Sequence, residues 1–438
     1  MNDLSIFTVK VEGGSGCIFQ PMSEDYSYVL TARHVLLEAE MPYSIIRQTI
    51  GEDGSVNEVE LKMIGEPYYH HDPDNFDAAI IKVEAIKDNP IELLRLDNPL
   101  ESSGIFVLAG HPDARGKQIY SYRDNNLVLK NRKPYNYIEA ELENVATHKE
   151  IVGQSGGGIF RYEDGHWFLA GIQKKMSVPD GKETLGRIDF MPLSFFDAIV
   201  NTNREDLIDL LPYYLTSFSL LKDQVMKIEG CLVPNNVAYT RSFLRGITEN
   251  IVANKLTPLY VREFFKDRLL VGKRPRKNIL LTRDLWVAWL EYLIILNLIK
   301  DNGITEGNLE ENFNCYRVLF SNTNKDWSTE FKEITLSNFH GLAANGCIIV
   351  STKTKPEKYT IPSGAIDDII RANNVHNSEM QIDDGVEHPF KSYKLVHLYA
   401  FQKKCIIDKE DEYSQFTNLT DAELIIKLKQ EYEELLRP

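Results

Sequence analysis

Through the first 192 positions, apolar residues recur at short, strand-like intervals. Ser5–Val11, Gly16–Gln20, Tyr26–Thr31, Val59–Ile64, Ala78–Val83, Ile105–Ala109, Ile138–Val145, Gly158–Tyr162, Trp167–Ile172 and Gly186–Phe190 are rich in β-branched or aromatic residues. Glycine or Asn/Asp turns separate many of them, Gly13-Gly14 and Asp164-Gly165 most clearly. Many short strands between turn signals predict an all-β sandwich or barrel. A helical pattern begins at Pro192-Leu193-Ser194-Phe195-Phe196, and from about 205 the apolar period lengthens. Leu207–Leu221, Ala238–Asn254, Val261–Leu270 and Thr282–Lys300 carry apolar residues at i, i+3, i+4 and i+7, which predicts amphipathic helices. The last of these is apolar nearly all round and is expected to be buried. Beyond Asn302-Gly303 the pattern is mixed. Tyr316–Phe320, Ile334–Leu336, Gly346–Ser351 and Lys358–Ile361 read as strands, Ala365–Ala372 as a helix, and residues 373–388 as an exposed loop. Thr420-Asp421-Ala422-Glu423 is a capping box for a final helix to about Leu436.

Composition narrows the class. The chain has 438 residues, enough for two or three domains. Hydrophobic residues at 43% and charged residues at 26% are ordinary for globular chains, which excludes disorder for the bulk of it. No apolar run reaches the ~18 residues that span a bilayer; the longest, Leu285 to Ile299, is broken by Glu291 and Asn297. The N-terminus has no basic region followed by an apolar stretch, so no signal peptide is expected. Five scattered cysteines without Cys-x-x-Cys spacing fit a reducing, cytoplasmic compartment and disfavour a disulfide framework or a zinc site. The net charge of −15 is unevenly placed: residues 1–200 hold 19 Lys+Arg against 31 Asp+Glu. Such an N-terminal half repels a phosphate backbone, which disfavours direct nucleic-acid binding.

Three segments of the β-rich half carry candidate chemistry. An apolar strand, Tyr28 to Ala32, leads to Arg33 and His34. Asp77 stands immediately before the apolar run Ala78 to Val83. Ser155 sits in the glycine-rich turn Gly153-Gln154-Ser155-Gly156-Gly157-Gly158 ahead of another strand. Singly, each has an ordinary structural reading as a strand end, a turn residue or a loop. Jointly they supply what acyl transfer needs. A serine attacking a carbonyl needs a base with the pKa of histidine. The imidazolium that forms needs a carboxylate to orient and stabilise it. The tetrahedral intermediate needs backbone N–H donors, which a glycine at 153 can turn inward without a side-chain clash.

With the motifs Thr31-Ala32-x-His34, Asp77-Ala78-Ala79-Ile80 and Gly153-x-Ser155-Gly156-Gly157 in that order, the segment from about 5 to 200 resembles the chymotrypsin-like (trypsin-like) serine protease family. Gly110-His111-Pro112 adds a weak match. The resemblance implies a double β-barrel, with His34 as general base, Asp77 as its orienter, Ser155 as nucleophile and the N–H groups of Gly153 and Ser155 as oxyanion hole. It further implies that Lys149 lies at the base of the specificity pocket and that Gly171 to Lys175, with Gln173 and Lys174, forms its wall; cations there would favour an acidic substrate side chain. Two positions depart from the family. Arg33 replaces a small residue, and could line the cleft or simply be solvated. Gln154 replaces the aspartate that zymogen-activated members pair with a new N-terminal ammonium. The sequence as given begins almost at the first strand, so no pro-segment is expected. Cys17 falls where many members have half a disulfide, and here is expected to be a reduced, buried thiol.

Weaker candidates remain. His70-His71-Asp72-Pro73-Asp74 has metal-ligand residue types, but reads better as a loop leading to Asp77. Lys273-Arg274-Pro275-Arg276-Lys277 reads as a solvated basic loop. No metal or cofactor is expected. The boundaries proposed are 1–203 for the protease domain and 204–438 for an α+β, mostly helical accessory domain that senses, adapts or binds partners. Residues Arg317 to Trp327 and Cys347 to Ser351 resemble the C-terminal domains of bacterial ABC-three-component conflict systems. That resemblance implies a small middle component and an SMC-like ABC-type ATPase as partners, and a role in anti-phage defence. Beside a gated endopeptidase acting on a protein or peptide stand two alternatives: an ungated housekeeping protease and a non-catalytic peptide-binding barrel.

Overall fold

The computed structural model describes residues 4–37, 39–86, 92–102, 104–116, 118–143, 152–163, 165–176, 186–231, 234–272, 277–300, 303–327, 336–361, 393–414 and 421–436. It divides into two compact units, Met1–Tyr213 and Tyr214–Pro438.

The first unit holds two seven-stranded sheets. The first is built from Thr8–Val11 (β1), Gly14–Phe19 (β2), Tyr26–Ala32 (β3), Ile45–Ile50 (β4), Val56–Glu60 (β5), Tyr68–Tyr69 (β6) and Ala78–Glu84 (β7), in the order β5-β4-β1-β2-β3-β7-β6. Residues 61–64 bridge its two sides: Leu61 N–H donates to Ile45, and Met63 pairs with Val83. The second sheet comprises Leu93–Arg95 (β8), Phe106–Gly110 (β9), Arg123–Arg132 (β10), Ile138–Leu142 (β11), Gly158–Glu163 (β12), His166–Met176 (β13) and Arg187–Pro192 (β14). Because β12 pairs with both β9 and β13, six of these strands close into a ring, with β8 added parallel to β13. This is the double-barrel arrangement of the chymotrypsin-like fold.

The strand period of two explains where the cores lie. On β3 and β7, Val29, Ala79, Ile81 and Val83 face one cluster with Val9, Val11, Ile18 and Ile45. Their neighbours Tyr28, Leu30, Ala78 and Ile80 face another, with Cys17, Phe160, Leu169, Ile172 and Phe196. Both faces of these strands are thus buried, which is why they read as continuous apolar runs rather than alternating ones. The helix Ser194–Thr202 adds Phe195, Phe196, Ile199 and Val200 to the second cluster. Leu207 and Leu210 join it, and Tyr28 Oη donates to Ile208 O at 3.1 Å. These contacts hold the chain to the barrels past residue 203 and move the division to 213.

In the second unit, Pro234–Ala253 and Arg283–Ile299 are helices, and the latter buries Trp286, Trp289, Tyr292 and most of its other apolar residues, as its pattern predicts. A parallel sheet runs Tyr316–Ser321 (β15), Cys347–Thr352 (β16) and Lys394–His397 (β17) in that order. Three expectations change. Leu207–Leu221 is not one helix: Pro212 interrupts it, and short 3₁₀ turns follow at Tyr213–Thr216 and Phe218–Gln224, the second opened by Ser217 accepting from Ser219 N–H. Lys358–Ile361 contributes only the bridge Thr360–Val396. Leu336 opens the short helix Leu336–Phe339 instead of closing a strand. The expected helix 365–372, loop 373–388 and residues 334–335 lie outside the described residues, as does Thr420 of the capping box. Among the described residues, no helix is long and apolar enough to cross a membrane.

Candidate active site

Strand pairing brings the first two candidates together. Ala32 is registered with Ala78, so the end of β3 and the start of β7 are adjacent, and His34 and Asp77 sit just beyond them. His34 opens out of a short 3₁₀ turn, Arg33–Val35. Its Nδ1 lies 2.6 Å from Asp77 Oδ2, and its own N–H donates to Asp77 Oδ1 at 2.9 Å. Arg33 N–H donates to Asp77 O at 2.8 Å. The carboxylate is therefore gripped at both oxygens by one residue, with its side chain 16% exposed against 42% for the imidazole. The free edge of the ring, Nε2, is left for another group.

Ser155 comes from the second barrel, in the turn before β12, and is half-buried. Two glycines shape that turn. Gly153 has φ +91°, and a Cβ there would lie 2.5 Å from Asp113 N. Gly156 has φ +88°, and a Cβ there would lie 1.9 Å from Ser15 O. Gly156 N–H and Gly157 N–H are taken by Gln173 O and Gln154 O. Among the described residues, the N–H groups of Gly153 and Ser155 donate to no backbone carbonyl.

The turn is moored to the first barrel by a residue no motif singled out. Ser15 N–H donates to Ser155 O at 2.8 Å, and Ser15 Oγ donates to Gly153 O at 2.8 Å while accepting from His111 N–H at 2.8 Å. Thr31 Oγ1 in turn donates to Ser15 O at 2.7 Å. His111, the aromatic of Gly110-His111-Pro112, is buried; burial first and then Lys10 bring its pKa down to about 4.

The remaining candidates fall out as follows. Lys149 lies outside the described residues, as do Lys273 to Arg276. Gln173 is buried, and its backbone holds the serine turn through Gly156 N–H and Gly157 O. Lys174 is half-buried, with Nζ 4.0 Å from the centre of the Tyr137 ring. Arg33 reaches over the Tyr69 ring at 5.8 Å. Gln154 is fully buried and, among the described residues, its side-chain amide has no hydrogen-bond partner. The five cysteines are free thiols, and burial pushes the Cys17 thiol up.

His70 to Asp74 forms a scaffold below Asp77. His70 stacks on His71 and Phe76, its Nδ1 accepts from Asp72 N–H at 3.1 Å, and Asp72 accepts from Phe76 N–H and the Asn75 amide. Burial holds the His70 pKa below its ordinary value. Among the described residues, no group of three or more His, Cys, Asp or Glu is placed to hold a metal ion.

No curated protein matches the chain. Among solved structures, the crystal structure of the serine endoprotease from Yersinia pestis is similar at 20% identity and a TM-score of 0.30, covering 46% of this chain and 64% of that one. The chain thus spans less than two thirds of that structure's length. Residues 14–172 match the trypsin-like peptidase domain family and residues 190–407 match C-terminal domain 4 of the ABC-three component (ABC-3C) systems, so the chain carries in succession a segment similar to a trypsin-like peptidase domain and a segment similar to an ABC-3C C-terminal domain.

Proposed function

We propose that the chain is a serine endopeptidase. Ser155 Oγ attacks the scissile carbonyl while His34 Nε2 takes its proton. Asp77 holds the ring with Nδ1–H toward its carboxylate and stabilises the imidazolium that forms. The Gly153 and Ser155 N–H groups receive the oxyanion. His34 then protonates the leaving amine, and water, deprotonated by the same imidazole, releases the acyl group from Ser155. The observation that carries this reading is the 2.6 Å contact between His34 Nδ1 and Asp77 Oδ2, made by an imidazole whose side chain is still 42% exposed. A structural histidine would be expected to spend both nitrogens on the protein.

The protease domain, expected over 1–203 and continuing in the fold to Tyr213, would be governed by the accessory domain that follows it. The match to C-terminal domain 4 of ABC-3C systems supports an SMC-like ABC-type ATPase and a small middle component as partners, acting in anti-phage defence. In full-length protein, a fluorophosphonate probe should label Ser155 slowly, and faster once these partners are added. Ser155→Ala should abolish labelling. Labelling that survives in Ser155→Ala refutes the nucleophile, and partner-independent labelling refutes the gating.

A further inference from the structure

Asp77 has four polar groups, and three of them are satisfied by the turn that carries His34: both carboxylate oxygens by His34 and the carbonyl by Arg33 N–H. The fourth is served from the other barrel. Tyr137 Oη accepts from Asp77 N–H at 3.2 Å and donates to Asn75 O at 2.9 Å. One phenol therefore clamps both sides of the peptide stretch that delivers the carboxylate.

The phenol is itself firmly placed. Tyr137 follows a turn, Pro134–Asn136, in which Tyr135 and Asn136 have φ of 59° and 67°. Lys133 N–H closes that turn on Tyr137 O at 2.7 Å. The ring is buried, standing edge-on to Phe195 at 5.0 Å, which stands edge-on to Phe76 at 4.8 Å, the residue just before Asp77. Lys174, on the strand that would form the pocket wall, sits over the ring face. Burial raises the phenol pKa to about 12, so it remains a donor at any working pH.

We infer that Tyr137 is a positioning residue for the catalytic carboxylate: it fixes the Asn75–Asp77 backbone from the second barrel, so that the His34–Asp77 pair is held in register with the serine turn, which that barrel also carries. The inference rests on the protease reading and deepens it. It has a consequence for Lys174: a cation lying on the Tyr137 face is committed to this support, and an acidic substrate side chain would have to draw it away.

The test uses full-length protein and a fluorophosphonate probe, with the maximal inactivation rate and the half-saturating probe concentration measured separately. Tyr137→Phe keeps the ring, its contact with Phe195 and the Lys174 stack, and removes only the hydroxyl. Its maximal rate should fall about tenfold, ~1.4 kcal/mol, with half-saturation unchanged. In an Asp77→Asn background the same change should alter the rate less than about twofold, because the carboxylate it positions is gone. A purely structural role would give equal losses in both backgrounds, and that result, or parental labelling by Tyr137→Phe, overturns the inference. Parent protein that does not label, or that still labels as Ser155→Ala, sinks the protease reading and this inference with it.

Discussion

Replacing Ser15 by alanine tests how the two barrels share the site. The side chain is fully buried, and its hydroxyl serves Gly153 O and His111 N–H at 2.8 Å each. Alanine keeps Cβ and the Ser15 N–H bond to Ser155 O, so only the two hydroxyl bonds vanish. Each buried group left unpaired costs about 1–3 kcal/mol. A loss of at least about 2 kcal/mol follows, which for a unit of this size lowers its melting temperature by about 4–8 °C. The catalytic effect follows from geometry. Gly153 O belongs to the peptide between the two proposed oxyanion donors; without Ser15 Oγ that peptide loses its hydrogen bond, while its neighbours keep theirs from Asp113 N–H to Val152 O and from Gly157 N–H to Gln154 O. Removing an oxyanion donor outright costs about 100- to 1,000-fold; a loosened one should cost at least about tenfold. Thr31→Val is the control: it strips the donor to Ser15 O at 2.7 Å without touching Gly153. It should lower the melting temperature while leaving the labelling rate within about threefold of the parent. Melting curves and fluorophosphonate labelling of the three proteins decide it. If Ser15→Ala melts and labels like the parent, or if Thr31→Val slows labelling as much, the mooring argument is wrong.

Further outcomes are expected. Gly156→Ala should fail to accumulate as folded protein or should label at a background rate, since its Cβ would meet Ser15 O at 1.9 Å in a backbone conformation with φ +88°; parental labelling would refute the turn geometry. The pKa of His111 is about 4 in the fold and 6.5 in the unfolded chain, so the unfolded state binds the proton more readily. Its contribution is therefore complete above about pH 6.5 and lost as pH falls toward 4, a drop of about 3 kcal/mol that His111→Gln should remove from the acid limb of a stability curve. Thiol titration should find two reactive groups in the native protein, Cys231 and Cys315, and five in denaturant, because Cys17, Cys347 and Cys405 are buried; fewer than five would reveal a disulfide.

The barrels were readable because their strands follow local rules. Runs such as Tyr28–Ala32 and Ala78–Val83 announce themselves by apolar, β-branched content. Other strands lack such a signature, for more than one reason. Arg123–Arg132 is a ten-residue strand with Leu127 as its buried side chain; besides the adjacent Val128 and Leu129 its residues are polar, so no apolar period survives. Lys394–His397 is only four residues long, too short for a pattern, and finds its place by pairing parallel to β16. The helix expected over Leu207–Leu221 failed for the opposite reason: its apolar spacing is real, but Leu207 and Leu210 use it to cover the barrel core, and Pro212 forbids continuity.

At the candidate site the same division holds between chemistry and support. A nucleophile in a tight turn demands glycines around it, and a base at a strand end demands a carboxylate registered beside it, so His34, Asp77 and Ser155 each carry a local signature. Ser15 and Tyr137 carry none, and Thr31, though it stands in the Thr31-Ala32-x-His34 motif, gives no sign of its partner. Serine and threonine in strands and a tyrosine after a turn are common, and their roles arise from partners 138, 16 and 60 positions away. For Ser15 and Tyr137 those partners are chosen by the closing of two barrels, which no window of sequence contains. That separation also argues for where regulation would act. The proposed base and its carboxylate sit on one barrel and the proposed nucleophile on the other, and Ser15 and Tyr137 add polar ties to the apolar cluster that the two barrels share. A change of register between the barrels would alter the placement of His34 relative to Ser155. Under the proposed gating, an effector acting on the second barrel would need no contact with His34, Asp77 or Ser155; it would need only to favour the register in which Tyr137 meets Asp77 and Ser15 meets Gly153.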